Sequence, residues 1–418
     1  MQLNGCRMSQ ADNKHAALKP LNRMMLLMTC GGRLENWERQ GLIDRELMYY
    51  GFMLDAGLNH VDILDYGSGR TQKKIDSRFH ALPKKWLHNE ILYSLIALFI
   101  YWANFRKAQI IKTNQSYGAW VGVLARLFQP GKKLVVRCGW VRTEEMMRKD
   151  EKKSGFWLLV HKLAEWQAFR FGSAIIVASD VDRDYVASHY HVNRNKIMVI
   201  KNSVDTARYF PRQKSINKKA DEFRIVLIGR LVPMKNFQNV IRAAAELDSS
   251  VVIQILGDGE FRPELEELAK SHSVNVLFES FIPNDQVPEV LAQADLFVLP
   301  QWYASGMPKV TLEAMACGVL TLTTDILTHR QIVQHGRNGF LCGQEVNDLR
   351  DAIKTIMQLS SVEKEQIRKV AMDDVAAHHN MGANAAREYR FLQSLANGVK
   401  AADYLKQEQT EIENGSDL

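Results

Sequence analysis

Two residue patterns in the second half of the sequence have the chemistry to hold an anionic ligand. The first is Gly306-Met307-Pro308, a turn that leads into a predicted helix carrying Glu313 and closed by Gly318. Proline is favoured at the first position of a helix, and glycine just past its end. The free N–H groups and the dipole of a helix start attract anions. A helix start beside a carboxylate would therefore suit a ligand with both phosphate and hydroxyl groups.

The second pattern is a pair of cations, Arg230 and Lys235, in the loop after a predicted strand that ends at Gly229. An arginine and a lysine in a loop would, on their own, usually be a solvated surface. Fixed cations are also what a reaction that expels a diphosphate needs, because they stabilise the growing negative charge where no metal does. These two residues alone favour the solvated surface over a phosphate site, and the sequence around them decides between the two.

The sequence around both patterns resembles a known family. GMPKVTLEAMACG (306–318) and GRLVPMK (229–235) are similar to segments at the donor site of the retaining, family-four nucleotide-sugar glycosyltransferases. The resemblance is specific from about 223 to 345, weaker from 170 to 211 and mostly architectural before that. It implies the α/β GT-B fold, in which two doubly wound Rossmann-like domains face each other across a cleft and a C-terminal helix crosses back to the first domain.

The resemblance also assigns roles to individual residues. It implies that Arg230 and Lys235 hold the donor diphosphate, and that Glu313 accepts hydrogen bonds from the ribose hydroxyls. The other donor-side positions are Gly31, Gly32, Gly229, Gly306, Met307, Pro308 and Leu312. The acceptor-side candidates are Arg137 and Gly139, in a region where many relatives have a histidine.

Ser305 departs from the family pattern. Relatives have two glutamates in this segment, and Ser305 stands in place of the first, eight residues before Glu313. In the family that glutamate contacts the donor sugar and can support the positive charge that develops at its anomeric carbon. A serine can hydrogen-bond a sugar hydroxyl but brings no negative charge. Ser305 is therefore kept as a catalytic candidate beside Arg230 and Lys235, with a catalytically silent GT-B scaffold or regulatory partner as the alternative.

The function implied by the resemblance is sugar transfer from a nucleotide-sugar donor to a saccharide or lipid-linked acceptor, with retention, in glycan or surface polysaccharide biosynthesis. An epimerase of sugar nucleotides or a phosphorylase on the same fold is a further alternative. No cofactor or metal is expected, because the nucleotide sugar is a substrate and His189-x-His191 has no matching carboxylate or cysteine cluster. No nucleic-acid partner is expected, since basic stretches such as Lys152-Lys153 lack interleaved aromatic residues.

Composition and charge limit where such a protein works. A chain of 418 residues predicts two domains, and five widely spaced cysteines favour reduced thiols in the cytoplasm. The longest uncharged run, 91–105, has fifteen residues, fewer than the roughly twenty that span a bilayer. It predicts either a core helix or, with Arg106 and Lys107 directly after it, a helix at an anionic membrane surface. Peripheral contact with the inner face of the membrane is therefore expected, and a spanning helix is not.

Apolar runs alternate with helical stretches along the chain and predict parallel sheets covered by helices. We expect a first domain over 21–205 for the acceptor and a second over 206–385 for the nucleotide sugar. Residues 1–20 are predicted to be an extension, 386–407 the helix that returns to the first domain, and 408–418 a disordered tail. Asn236 is predicted to cap the first helix of the second domain.

Overall fold

Two parallel β-sheets form the two halves of the molecule, as the alternating apolar runs predicted. The computed structural model describes residues 18–39, 42–85, 88–139, 141, 155–213, 222–303 and 306–413. The first sheet contains β1 (Arg23–Leu27), β2 (His60–Leu64), β3 (Phe79–Leu82), β4 (Ile110–Thr113), β5 (Lys133–Cys138), β6 (Ala174–Val177) and β7 (Ile197–Val199).

The first sheet is doubly wound, with the strand order β3-β2-β1-β4-β5-β6-β7. In its register Leu27 aligns with Leu64 on one side and Thr113 on the other, so the carboxyl ends of the central strands finish at one edge. Helices cover both faces, which is why the strands are nearly continuous runs of buried residues. The described helices are α1 (Leu34–Arg39), α2 (Ile43–Asp55), α3 (Glu90–Ile100), α4 (Trp102–Lys107), α5 (Trp120–Phe128), α6 (Gly155–Phe171) and α7 (Asp180–His189).

The second domain repeats this plan around a sheet of six parallel strands in the order β10-β9-β8-β11-β12-β13. The strands are β8 (Phe223–Ile228), β9 (Val251–Leu256), β10 (Val276–Glu279), β11 (Leu296–Leu299), β12 (Leu320–Thr324) and β13 (Phe340–Cys342). Its helices are α8 (Phe237–Ala244), α9 (Arg262–Ser271), α10 (Val287–Ala292), α11 (Lys309–Ala316), α12 (Leu327–Arg330), α13 (Val346–Gln358) and α14 (Ser361–His378).

After α14 the chain returns to the first domain, as predicted, but as two helices rather than one. They are α15 (Met381–Ala396) and α16 (Ala401–Glu413). Gly398, at φ +91°, lies between them because the break needs a backbone conformation that glycine adopts readily. Buried residues of α15 belong to the core of the first domain, among them Ala385 and Phe391.

The two crossings between the domains lie side by side. The Val204 N–H donates to the His379 carbonyl at 2.9 Å, and the Met381 N–H donates to the Val204 carbonyl at 3.0 Å. Each crossing therefore satisfies backbone groups of the other. The domains are joined through these two hydrogen-bonded crossings as well as through contacts across the cleft.

Several details differ from the sequence predictions. β3 was not foreseen, because FHAL is a short run that contains a histidine and lies in a polar, basic stretch. Asn236 does not cap α8 through its side chain: the residue is left-handed, at φ 58°, and its amide donates to the Gln344 carbonyl instead. Pro308 precedes α11 in an extended conformation rather than occupying its first position.

The C-terminal tail was also misjudged in part. Residues 408–413 were predicted to be disordered, yet they continue α16, where Glu408 binds Arg387 at 2.7 Å. Residues 414–418 and most of the predicted extension at 1–20 lie outside the described residues.

The uncharged run 91–105 forms most of α3 and α4, with one side in the core, as one of its two predictions has it, and another side facing solvent. Tyr93 and Leu98 are buried in the core, whereas Leu95 and Phe99 face solvent. No helix among the described residues has the length and apolar character needed to cross a membrane.

Candidate donor-binding site

A cavity of about 450 Å³ lies where the strands of the second sheet end, and both domains supply its walls. The lining residues of the second domain come from the loops after β8 and β9, from the segment before and within α10 and from the start of α11. The first domain supplies Leu42 and Arg45, at the start of α2. The remaining lining residues are Ile228, Gly229, Arg230, Lys235, Leu256, Asp258, Phe281, Ile282, Asn284, Val287, Pro308, Lys309, Val310 and Glu313. Ligands of open α/β sheets bind at this edge.

Arg230 and Lys235 lie together in this cavity without a carboxylate to pair with. A short 3-10 helix, Pro233–Lys235, carries the lysine, whereas Arg230 is exposed in the preceding loop. Burial, and then the charge of Arg230, lower the pKa of Lys235 from 10.5 to about 8. Among the described residues no Asp or Glu forms an ion pair with either cation. The positive charge of the pair is therefore not neutralised by the protein, and a bound anion would neutralise it.

Glu313 lies in the second turn of α11, buried, and reaches across the cleft to the first domain. The turn before α11 is formed by Gly306, at φ +80°, and Pro308. The guanidinium of Arg45 lies 3.3 Å from Glu313 Oε1. Burial acts to lower the pKa of Arg45, but Glu313 and Glu46 outweigh it and raise the pKa above its usual value. Arg45 therefore stays charged and occupies the carboxylate that the family resemblance assigns to the ribose.

A second ion pair joins the domains beside the first. Lys309, the first residue of α11, places its ammonium group 2.9 Å from Glu46 Oε1 on α2. Burial raises the pKa of the Glu46 carboxyl, but Lys309 and Arg45 outweigh it, so that the pKa lies below its usual value. Burial, together with Arg45 and Arg137, lowers the pKa of Lys309 despite the pairing with Glu46. Three cations therefore surround two glutamates here, and the local charge is positive.

Five of the predicted donor-side residues line the cavity together: Gly229, Arg230, Lys235, Pro308 and Glu313. Gly306 and Met307 form the adjoining turn, which is held in place because Asn202 donates to the Met307 carbonyl at 2.7 Å. The placement of Leu312 corrects its prediction. Its side chain is fully buried in the core of the second domain, on the side of α11 that faces away from the cavity.

The first-domain glycines do not line this cavity. Gly31, at φ +79°, forms the turn after β1, and a side chain there would collide with the Glu90 carboxylate. Glu90 also pairs with Arg33 at 2.6 Å, which closes this turn against the start of α3. Gly32 donates its N–H to the Thr29 carbonyl at 2.6 Å.

The two acceptor-side candidates lie side by side at the end of β5, where a Cβ on Gly139 would be 3.4 Å from the Arg137 guanidinium, but only one of them lines a pocket. Arg137 lines a small pocket of about 30 Å³ together with Glu46 and Lys309, next to the crossings between the domains. Gly139 is not part of this lining, and its N–H donates to the Gln115 side chain at 2.9 Å. Ser305 lies outside the described residues.

The structure adds site residues that the sequence did not single out. Arg45 and Glu46 come from α2, and Glu46 lies 263 positions before its partner Lys309. Only the fold brings such residues together, so no local pattern could have indicated them. Lys309 lies inside the recognised motif, and a cation at a helix start, where the dipole disfavours it, was a usable signal. Asp258 also lines the cavity, and it pairs with Arg262 at 3.0 Å.

One group among the described residues has the composition of a metal site, away from this cavity. His60, Asp62 and His80 converge at the starts of β2 and β3. Arg23 lies 3.1 Å from Asp62 Oδ2 and Asn104 donates to Asp62 Oδ1 at 3.2 Å, so both carboxylate oxygens already have partners.

Comparisons with known proteins match this architecture. Residues 56–208 match the sequence model described as Glycosyltransferase Family 4, and residues 210–372 match that of Glycosyl transferases group 1. The chain belongs to the family-four glycosyltransferases. The family's two parts therefore cover most of both domains, including the cavity-lining loops from 228 to 313.

One curated relative of this family is the UDP-Gal:alpha-D-GlcNAc-diphosphoundecaprenol alpha-1,3-galactosyltransferase of Escherichia coli. It is 27% identical over 218 residues, which cover 48% of this chain and 55% of the relative. The chain spans about half the length of the curated relatives it matches.

Solved structures are similar over nearly their whole length. Sucrose-phosphate synthase from Thermosynechococcus elongatus superposes with a TM-score of 0.74 at 18% identity and covers 90% of this chain and 99% of that one. Anabaena Alr3699/HepE in complex with UDP-glucose gives 0.69 at 21% identity, covering 89% and 99%. These similarities establish the GT-B fold.

Proposed function

We propose that this protein transfers a sugar from a nucleotide-sugar donor to a saccharide or lipid-linked acceptor, with retention of the anomeric configuration. The work would belong to glycan or surface polysaccharide biosynthesis. The observation that carries the proposal is the uncompensated pair Arg230 and Lys235, in a cavity that also holds the Glu313 carboxylate. A nucleoside diphosphate supplies the negative charge that this pair lacks and the ribose hydroxyls that a carboxylate binds.

The proposed chemistry follows from the charges around the cavity. As the bond between sugar and diphosphate breaks, Arg230 and Lys235 stabilise the negative charge that grows on the leaving group. This role needs no metal, and we propose that none takes part. The departing phosphate accepts the proton of the acceptor hydroxyl, which attacks the same face of the sugar, so the configuration is retained. The apolar wall around Phe281, Ile282 and Val287 is the proposed place for the nucleobase.

In this arrangement donor binding competes with the ion pair between Arg45 and Glu313. The Arg45 guanidinium lies 3.3 Å from Glu313 Oε1 and would compete with the ribose hydroxyls for this oxygen. We therefore propose that the donor displaces Arg45 from Glu313, and that the freed guanidinium remains in the cavity as a further cation for the diphosphate.

The acceptor is proposed to bind the first domain, and two comparisons support the substrate classes. Alr3699/HepE was solved with UDP-glucose, and the name of the Escherichia coli relative contains a diphosphoundecaprenol-linked sugar. A lipid-linked acceptor places the reaction at the membrane. We propose that the protein acts from the cytoplasm as a peripheral protein on the inner face of that membrane.

The proposal is tested by titrating purified protein with nucleoside diphosphates and nucleotide sugars in a calorimeter. Binding donors are then supplied with saccharide and lipid-linked acceptors, and the anomeric configuration of the product is read by NMR. We expect one nucleotide class to bind, and the product to keep the donor's configuration. No binding by any nucleoside diphosphate would refute the donor site, and an inverted product would refute retention.

A catalytically silent GT-B protein is the second candidate, and Ser305 is the observation that favours it. Such a protein would bind the nucleotide through the same cations but would neither transfer nor hydrolyse any donor that binds. If the wild type turns over any bound donor faster than a Lys235→Ala control does, the protein is an active glycosyltransferase and the silent candidate is wrong.

A further inference from the structure

The first domain has helices on which a row of apolar side chains faces solvent, whereas the apolar row of an ordinary surface helix faces the core. On α6, Leu159, Leu163 and Trp166 follow the spacing of one helix face, yet they are 54%, 55% and 47% exposed. On α3, Leu95 and Phe99 are likewise one turn apart and face solvent. Single exposed apolar residues are common, but rows at helical spacing on two helices are a feature of interaction surfaces.

These rows are parts of one surface, because α5 lies between them. The rings of Phe99 and Phe128 are 5.2 Å apart, which joins α3 to the end of α5. Next to Phe128, the Arg126 side chain donates to the Phe171 carbonyl and so joins α5 to the end of α6. We call the solvent-facing sides of α3, α5 and α6 the docking face.

Cations predominate around α3, α4 and α5. Apart from Lys112, which is buried on β4, and Arg137, which lines the small pocket at the cleft, the sequence between residues 84 and 142 has eight lysines and arginines and a single acidic residue, Glu90, which pairs with Arg33. Arg106 and Lys107 are exposed at the end of α4, and Lys132 donates to the Arg106 carbonyl at 2.7 Å, beside the end of α5. An apolar surface edged by cations is complementary to an anionic bilayer. A second copy of the same face would instead repel it, since like charges would meet.

The docking face also leads to the carboxyl end of the first sheet. Its first helix begins at Glu90, whose carboxylate packs against Gly31 and pairs with Arg33. The surface that would touch lipid therefore starts beside the turn after β1.

We propose that the docking face binds this protein to an anionic lipid bilayer, with the start of α3 turned so that a lipid-linked acceptor reaches the cleft past Gly31 and Gly32. The route of the acceptor rests on the proposed function. The binding to lipid does not, and it is measured without donor or acceptor, so the two proposals can fail separately.

The test is flotation of the full chain with vesicles of phosphatidylcholine, with or without phosphatidylglycerol. We expect the protein to float with the anionic vesicles and to remain largely unbound with the neutral ones. Phe99→Gln/Leu163→Gln should abolish flotation, whereas the matched control Leu277→Gln/Val362→Gln, which changes exposed apolar residues of the second domain, should float like the wild type. Replacing Arg106 and Lys107 by Gln should weaken binding roughly tenfold or more, since each cation near such a surface contributes about 1 kcal/mol.

Nucleoside-diphosphate titration of every variant shows whether it is still folded, and so separates loss of lipid binding from loss of folding. Leu159→Gln on α6 is a second, single-site variant that should also reduce flotation. Equal flotation of the docking-face and control variants would overturn the proposal. So would no flotation of the wild type with anionic vesicles, or a wild-type dimer that Phe99→Gln/Leu163→Gln separates while no vesicle binding is seen.

Discussion

Lys235 and Arg230 form a pair of like charges that the folded protein holds together without any acidic partner among its described residues. Such a pair is unfavourable in the empty cavity, and an anion between the two cations removes the repulsion. Burial, and then the repulsion by Arg230, lower the pKa of Lys235 to about 8. Binding of a diphosphate and protonation of this lysine are therefore linked.

Lys235→Ala should weaken nucleoside-diphosphate binding by roughly tenfold or more, because hydrogen bonds to charged groups contribute about 1.5–3 kcal/mol. Calorimetry measures the change, with Lys270→Ala, an exposed lysine on α9, as the control that should bind like the wild type. An unchanged affinity in a folded Lys235→Ala protein would remove this residue from the site.

The affinity for a nucleoside diphosphate should also fall as the pH rises from 7 to 9.5. Lys235 carries its charge below its pKa of about 8 and loses it above, whereas the phosphates are already ionised at pH 7. A Lys235→Arg protein keeps its charge over this range and should show a much flatter profile in the same titrations. Parallel profiles of the two proteins would mean that Lys235 does not titrate in contact with the ligand.

Ser305→Glu tests whether the missing carboxylate limits the rate. If charge at the anomeric carbon matters, this variant should keep donor affinity and raise turnover. If the donor needs the smaller side chain, it should instead lose sugar binding and keep nucleotide binding. Ser305→Ala loses one neutral hydrogen bond, about 0.5–1.5 kcal/mol, or at most roughly tenfold. Wild type, Ser305→Ala and Ser305→Glu with the same activity and affinity would place Ser305 outside the site.

Helix α2 is the element that completes the cavity, because its first turn carries both first-domain residues that form ion pairs with the second domain. Arg45 reaches Glu313, and Glu46 reaches Lys309. Both partners belong to α11, so two short helices set the width of the cleft. Of these two helices, the family resemblance singles out only α11, whereas the part played by α2 is visible only in the folded structure.

Reversing one charge of this contact should open the cleft. In Glu46→Lys three cations would face the new lysine, and small-angle X-ray scattering should report a larger radius of gyration. The double variant Glu46→Lys/Lys309→Glu restores the pairing and should return the radius toward that of the wild type. Asp374→Arg, which breaks the 2.7 Å pair with Arg337 inside the second domain, is the control that should leave the radius unchanged. A wild-type radius in the single Glu46→Lys variant would contradict this role of α2.

The sequence predicted these elements well where a local pattern decides the structure. Apolar runs marked most strands, and the motif around Glu313 placed a helix and a carboxylate correctly. Prediction from the sequence failed where tertiary contacts decide the conformation of a residue. Asn236 adopts a left-handed conformation held by Gln344, and Leu312 faces the core. Arg45 and Glu46 look like ordinary surface charges of an amphipathic helix, and only the position of the other domain shows what they bind.

Across the whole molecule, α15 is fastened to the first sheet by a buried ion pair. Lys112 on β4 lies 2.5 Å from Glu388 on α15, and both side chains are fully buried. Tyr49 of α2 donates a further hydrogen bond to Glu388 at 2.7 Å. The sheet, the helix beside the cleft and the returning helix therefore meet at one carboxylate.

Lys112→Met should destabilise the first domain by about 3–5 kcal/mol, because it leaves a buried carboxylate without its cation. Lys112→Met/Glu388→Gln should lose less, since the neutral amide still accepts the hydrogen bond from Tyr49. Hydrogen exchange in increasing denaturant resolves the two domains, and peptides of the second domain serve as the internal control. If the single variant is as stable as the double variant, the charge of Glu388 is not what Lys112 neutralises.

The return of α15 also fixes the order in which a newly made chain can fold. The ribosome releases the strands of the first sheet early, but Ala385, Tyr389, Phe391 and Leu392, which complete their core, emerge only after the entire second domain. At roughly 5–20 residues per second, about 200 intervening residues take on the order of 10–40 s to synthesise. The domain that begins first is thus finished last, and its unfilled core waits through the synthesis of its neighbour. Chaperones that shield apolar surface have their main task on this chain during that interval.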